Sequence, residues 1–263
     1  MEQAVYAAEA ALEERHWWFV CRRRLFAREL ARAGVAKDAA MLDVGTSTGT
    51  NLRMLRDAGY HDVTGLDMSD EAIRYCRDKG LGDVRKGDIC AMPFPDARFD
   101  AVLATDIVEH VDDDAAALAE IRRVLKPGGL ALLTVPAFEQ LWGAQDDLSH
   151  HKRRYRLPRF CALVEETGLE VERRYHFNYL LFAPIWLARQ IIRRSGATRR
   201  SENHINAPGL NELLTLLFEI DCRTAPLVRP PFGVSILVGA RENTMPVHRN
   251  GASHERQTAH TDH

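Results

Sequence analysis

What this sequence has little of narrows the field before anything it contains. Its five cysteines, Cys21, Cys76, Cys90, Cys161 and Cys222, lie far apart and form no CxxC pair. That argues against a disulfide framework or a cysteine-held zinc, and fits small core residues in a reducing compartment. No apolar run reaches the roughly 18 to 20 residues that a membrane span needs; the longest, Tyr179 to Ala188, stops at Arg189. Residues 1–15 are polar and alanine-rich, with no basic region leading into an apolar one, so no secretory signal is expected and the reading is cytoplasmic. A net charge of -2 gives no global reason to expect nucleic acid. Internal repeats are lacking too. What remains, 46% hydrophobic and 27% charged over 263 residues, is the balance of an ordinary globular chain with a sizeable core.

The chain is organised around Met41-Leu42-Asp43-Val44-Gly45-Thr46-Ser47-Thr48-Gly49-Thr50-Asn51. A short buried strand over 39–44 runs into a turn with two glycines and then into a helix. Glycine lets the backbone turn sharply and approach a ligand closely, and a helix N-terminus offers unpaired N–H groups. Strand signals recur at 63–67, ending in Asp67, at 83–88, at 99–105 and at 130–135. Helix signals alternate with them: one to Ala58, one over 72–79 started by Ser69, and one over 115–125 stopped by Lys126-Pro127-Gly128-Gly129. The alternation predicts an α/β protein with a doubly wound, mostly parallel sheet. The C-terminal third breaks the rhythm, with a helix over 158–167, a sixth strand over 169–175 and a last strand over 234–240. If these two strands pair antiparallel, 177–232 is an insertion between them, holding helices over 179–194 and 210–220. Residues 2–33 carry continuous helical signals, and 241–263 read as a disordered tail. The expected organisation is a helical lid over 1–35, a main domain over 36–240 and that tail.

In a doubly wound sheet, ligands sit at the carboxyl ends of strands near the reversal in strand order. Asp67 at the end of the second strand can accept both ribose hydroxyls, and Asp88 after the third can take an adenine amino group. The G-x-G-x-x-G spacing of a dinucleotide site is not met, because Ser47 stands at the second glycine position. With these motifs in order, Leu42-Asp43-Val44-Gly45 with Gly49, Gly65-Leu66-Asp67-Met68-Ser69, Gly87-Asp88-Ile89, Pro93-Phe94 with Phe99-Asp100, Val108-Glu109-His110-Val111 and Leu125-Lys126-Pro127-Gly128-Gly129, the chain resembles the class I S-adenosylmethionine-dependent methyltransferases. The resemblance implies a seven-stranded Rossmann-like fold whose last strand is antiparallel, and S-adenosyl-L-methionine as cofactor. It implies that Gly45, Thr46 and Gly49 line the methionine part, that Asp67 holds the ribose, that Met68, Asp88 and Ile89 hold the adenine, and that Asp43, Ser47 and Thr105 also belong to the cofactor site. The family usually carries a glycine where this chain has Ser47.

Methyl transfer from a sulfonium is an in-line displacement dominated by alignment, and a hydroxyl acceptor also benefits from a base. Candidates follow the fourth strand in Thr105-Asp106-Ile107-Val108-Glu109-His110. Glu109 can simply brace the turn; His110 can be a base oriented by Glu109. The set also resembles that of metal-dependent O-methyltransferases, which implies a divalent ion such as Mg2+ held by Asp106, Glu109, His110 and, downstream, His151. His151 without a metal is the alternative base. The basic run Lys152 to Arg156 is either a solvated helix lead-in or a binder of an anionic or polyhydroxylated acceptor, and is a thin footprint for nucleic acid. His16-Trp17-Trp18-Phe19, the Ser149-to-Tyr155 stretch, Tyr175-His176-Phe177-Asn178 and Pro231-Phe232-Gly233 resemble a bacterial subgroup associated with polysaccharide, glycolipid and secondary-metabolite pathways. In that setting Trp18 belongs to a lid over the cofactor, or else packs. The insertion, apolar from Leu180 to Ile192 and then rich in arginine, reads as a roof over the acceptor pocket, a homodimer contact or a membrane-surface helix. The resulting expectation is O-methylation of a small hydroxylated acceptor such as a sugar or saccharide. N- or C-methylation of a natural-product intermediate is the alternative, and a non-catalytic partner subunit is the reading of another class.

Overall fold

The computed structural model describes residues 3–195 and 209–243. Nine α-helices and seven strands are found among them: α1 (Gln3–Leu12), α2 (Trp17–Arg32), β1 (Met41–Val44), α3 (Thr50–Asp57), β2 (Val63–Asp67), α4 (Asp70–Asp78), β3 (Val84–Lys86), β4 (Phe99–Thr105), α5 (Asp114–Val124), β5 (Leu125–Pro136), α6 (Ala144–Leu148), α7 (Leu157–Glu166), β6 (Leu169–Phe177), α8 (Phe182–Ser195), α9 (Leu210–Val228) and β7 (Ser235–Glu242). The strands form one sheet in the order β3-β2-β1-β4-β5-β7-β6. The pairs among β1 to β5 are parallel, and β7 runs antiparallel to both β5 and β6. The expected seven-stranded α/β sheet with an antiparallel last strand is therefore what the chain forms. Between β1 and β4 the order reverses, which opens the crevice that such sheets offer to ligands.

Side chains on the central strands alternate between two buried layers, because successive residues of a strand face opposite sides. Leu42, Val44, Val102, Ala104, Leu133 and Val135 pack under α5 and α7. Met41, Ala101, Leu103, Leu132 and Leu237 pack under α2, α3 and α9. Both faces of the sheet are thus covered, and the strand ends are left for binding.

Three elements depart locally from the sequence expectations. The continuous N-terminal helix is two helices, because His16 is extended and its imidazole accepts the Trp18 N–H at 3.4 Å, an N-cap. The helix over 210–220 runs on to Val228. Its buried stripe Phe218, Asp221, Cys222, Ala225 has helical spacing but includes a carboxylate, and Pro226 sits so near the end that little of the helical ladder is lost. Asp221 accepts the N–H groups of Asn178, Tyr179 and Leu180 at 2.6–2.8 Å, which sets the lead-in to α8. β7 continues through Arg241 and Glu242, so the tail begins later than residue 241. The rest of the expected tail, from 244, and residues 196–208, expected as a basic polar loop, lie outside the described residues.

Candidate active site

A cleft of about 500 Å³ opens at the carboxyl ends of β1, β2 and β4. Its floor is the glycine turn. Gly45 has φ +73°, and a Cβ there would meet the Ile107 side chain at 2.8 Å, so a larger residue would strain the backbone and force Ile107 to shift. The turn is pinned from β2: the N–H groups of Gly45 and Thr46 donate to the Leu66 carbonyl at 2.9 and 3.2 Å. Ser47 is also left-handed, at φ +49°, and its N–H donates to Asp67 Oδ2 at 2.9 Å. The other Asp67 oxygen accepts the Ser69 N–H at 2.9 Å. Burial pushes the Asp67 carboxyl above its ordinary range, and these backbone donors oppose it. Gly45, Thr46, Ser47, Asp67, Met68, Ile89 and Thr105 all line the cleft, and Met68 stands 63% exposed at its edge.

The other residues expected at the cofactor are placed differently. Asp43 is fully buried beneath the turn, bonded to Asn51 Nδ2 at 3.2 Å, and burial pushes its carboxyl up to about 7. Asn51 also donates to Thr105 Oγ1 at 3.0 Å, so Asp43 acts on the cleft through this chain of hydrogen bonds. Gly49, at φ +86°, caps the start of α3. Asp88 is exposed and accepts the Cys90 N–H, while its neighbours Gly87 and Ile89 reach the cleft. Trp18 does not line the cleft at all. Its ring lies parallel to Phe218, 5.3 Å away, with Phe177 beyond. One residue on a helix turns the side chain by about 100°, and the cleft face of α2 is Phe19, Arg22, Arg23 and Phe26. From α1, Tyr6 and Glu9 complete the wall. No described residue of the insertion lines this cleft; α9 packs against α2 and β6.

The acid and histidine cluster lies beside the cleft, after β4. Glu109, in a single 3-10 turn over Val108–His110, is completely buried and neither of its carboxylate oxygens has a hydrogen-bond partner. Burial, reinforced by the charge of Asp106, pushes its carboxyl well above the ordinary range. His151 Nε2 is 3.9 Å from Glu109 Oε1, and the His110 and His151 rings meet edge to face at 4.7 Å. Burial, and then the neighbouring His151, push the His110 imidazole down to about 4, so it is neutral at pH 7. Ligand atoms of Glu109, His110 and His151 all fall within 4.8 Å of one another. Asp106, the fourth residue expected there, is outside this group: it is held by Arg22 Nη2 at 2.6 Å and by Thr134 Oγ1 at 3.1 Å. An opposite charge so close occupies the Asp106 carboxylate and holds it apart from the other three.

Sequence reasoning gave no role to the residue that fixes His151. Asp146, fully buried on α6, bonds His151 Nδ1 at 2.8 Å and accepts Arg154 Nε at 2.8 Å and the Gly143 N–H at 2.8 Å. Burial alone would raise its carboxyl, but the His151 bond and the Arg154 cation outweigh it and hold it down to about 2. The Nδ1 contact orients the ring and turns Nε2 toward Glu109. The available signal was the spacing of Asp146, His151 and Arg154 in one short stretch. The basic run is largely absorbed by such pairs: Lys152 with Asp112, Arg153 with Asp114 and Arg154 with Asp146. Lys152, with Ser149 and His150, lies at the cleft.

An open doubly wound sheet with a glycine turn after β1 and an acid closing β2 defines a protein of the class that binds a nucleoside-containing cofactor at the strand ends. The comparisons narrow the class. The profile of the family described as methyltransferase domain matches residues 42–133. A malonyl-[acyl-carrier protein] O-methyltransferase of Pseudescherichia vulneris is 30% identical over 192 residues, covering 68% of this chain and 73% of that protein. A Mycolicibacterium smegmatis protein named as a probable S-adenosylmethionine-dependent methyltransferase is 29% identical, over 61% of this chain and 62% of its own length. Among solved structures, a chain of the complex between the Haloferax volcanii Trm112 methyltransferase activator and a methyltransferase superposes with a TM-score of 0.63 at 23% identity, over 93% of this chain and 97% of that one, a likeness of fold. This chain belongs to the class I S-adenosylmethionine-dependent methyltransferases.

Proposed function

We propose that the chain transfers a methyl group from S-adenosylmethionine to a hydroxyl oxygen of a small acceptor, with a sugar or saccharide as the favoured class. The observation that carries this reading is the cluster of Glu109, His110 and His151 beside the cofactor cleft, with both Glu109 oxygens unpartnered. An amine or carbon acceptor has less need of such a set than a hydroxyl, whose proton must leave. The polar residues Ser149, His150 and Lys152 on the same side of the cleft suit a hydroxylated molecule, and one relative is named as an O-methyltransferase.

When bound, S-adenosylmethionine supplies a methyl group on a positively charged sulfur. Asp67 holds the ribose of the nucleoside end, the glycine turn lies against the methionine part, Thr105 and the Asn51 bond keep the floor rigid, and Phe19 and Phe26 exclude water from the cleft. The acceptor oxygen forms its bond to the methyl carbon as the carbon–sulfur bond breaks, and the bonding pair stays on sulfur. His151, oriented through Nδ1 by Asp146, is the group to take the hydroxyl proton at Nε2.

The unpartnered Glu109 carboxylate and the neutral His110 also fit a divalent cation, which Glu109, His110 and His151 would hold; there it would lower the pKa of an acceptor hydroxyl. The Asp146–His151 bond serves either reading, since an oriented histidine is equally a base and a ligand.

The test is turnover on a panel of monosaccharides and glycosides, before and after chelation, with His151→Ala alongside. The expected result is methylation of an oxygen and a fall in kcat of about 10²- to 10⁴-fold for His151→Ala, with S-adenosylhomocysteine affinity kept. Loss of turnover on chelation assigns the cation to the cluster; indifference to chelation assigns the base to His151. Methylation confined to nitrogen or carbon acceptors would overturn the reading.

A further inference from the structure

Ser47 is an anomaly with a partner. It holds a left-handed backbone conformation that costs a non-glycine residue about 1 kcal/mol, in a turn where Gly45 and Gly49 show how readily glycine serves. Its hydroxyl is put to use: Ser47 Oγ donates to Glu9 Oε2 at 2.9 Å. Glu9 is on α1, far away in sequence, and this bond holds its carboxylate at the wall of the cleft beside the glycine turn. The next turn of chain fixes the same approach, because Glu13 accepts from Thr48 Oγ1 and from Lys79, and Arg23 donates to the Glu13 carbonyl at 2.7 Å. The approach of α1 therefore has anchors besides Glu9.

We propose that Glu9 is a cofactor-binding residue that receives the α-ammonium group of the methionyl end of S-adenosylmethionine, with Ser47 as the residue that positions it. The proposal rests on the reading of the cleft as the S-adenosylmethionine site. All of Asp67, Met68, Ile89, Gly45, Thr46, Ser47, Asn51 and Thr105 line the cleft; within that reading the first three take the nucleoside, which leaves the turn and Thr105 for the amino-acid end. An ammonium there needs an acceptor with negative charge, and a charge-assisted hydrogen bond to a carboxylate is the strong form of that contact. Asp43 is sealed beneath the turn and Asp106 is taken by Arg22, which leaves Glu9 as a carboxylate at the wall on this side. The charge balance around Glu9 agrees. Burial pushes its carboxyl up to about 7 and Glu13 adds to this, while the Ser47 bond, Arg22 and Lys79 oppose it; Tyr6 is the other titratable neighbour on α1. A cation arriving in the cleft is what would complete the ionisation of this group.

The experiment is calorimetric titration with two nucleosides that differ at that end. S-adenosylhomocysteine carries the amino-acid group; 5′-methylthioadenosine has the same adenosine and sulfur without it. Wild type, Glu9→Gln and Ser47→Gly are compared, with thermal unfolding of each to confirm the fold. Glu9→Gln is expected to weaken S-adenosylhomocysteine by about 10- to 100-fold, the range for a hydrogen bond to a charged group, and to leave 5′-methylthioadenosine within about two-fold. Ser47→Gly should give a smaller loss in the same ligand only, because the carboxylate stays but its orientation is released. An equal loss for both nucleosides, or no loss for either, overturns the assignment. Failure of the wild type to bind either nucleoside removes the cofactor reading itself, and this one with it.

Discussion

Asp43 shows how a residue in the most legible motif can work out of sight of the ligand. Its carboxyl, pushed up to about 7 by burial, has one oxygen on Asn51 and the other without a partner. In the unfolded chain the same group titrates near 4. Between those values the folded state holds the proton that the unfolded state has released, so this group makes stability fall as pH rises from about 4 to about 7, by up to about 1.4 kcal/mol per pH unit. Urea unfolding of the ligand-free protein at pH 5, 6, 7 and 8 should therefore show a decline that is shallower in Asp43→Asn. An unchanged slope in that variant would place the burden elsewhere. At this scale the glycine turn and Asp67 were legible because glycine turns and strand-end acids carry their chemistry in short local spacings, while Thr46, Met68, Ile89 and Thr105 came with the family resemblance; all of them line the cleft. The sequence did not expose Glu9, Arg22 or Asp146. Their roles depend on partners at Ser47, Asp106 and His151, and only the fold brings the first two of those pairs together.

Among the elements, α2 and α9 carry the clearest lesson. Sequence inspection found the adjacent aromatics His16-Trp17-Trp18-Phe19 and could assign them either to a lid or to packing. The structure divides them by helical phase: Phe19 reaches the cleft, while Trp17 and Trp18 meet Phe218 of α9 at 5.3 Å each. Strand positions were readable because each is a short apolar run bounded by turn residues. The extent of α9 was not, since Asp221 interrupts its apolar stripe for the sake of three backbone N–H groups in another segment. α9 thus braces α2, which in turn presents Arg22 and Phe19 to the cleft. Phe218→Ala should cost about 3 to 5 kcal/mol of stability, as for other fully buried aromatics, measurable by chemical denaturation. A loss below about 1 kcal/mol would mean that the α2–α9 contact does not support the fold.

For the molecule as a whole, the alternation of strands and helices forecast the sheet, and the order 3-2-1-4-5-7-6 then fixes where a ligand can go. That order brings the β1 turn, the β2 acid and the β4 cluster to one crevice although they are spread over more than sixty residues of sequence. Composition and motif order could say that a cofactor is held there. They could not say which face of α2 closes it, or that α1 adds a wall, because both depend on long-range packing. No helix among the described residues is long and apolar enough to cross a membrane. The most direct test of the whole account is a calorimetric titration of S-adenosylhomocysteine into the wild type and Asp67→Ala. The account predicts saturable one-to-one binding by the wild type and loss of at least about 100-fold in affinity for the variant, which lacks the carboxylate proposed to accept the ribose hydroxyls. Equal affinity in the two proteins, or no binding by a folded wild type, would contradict it.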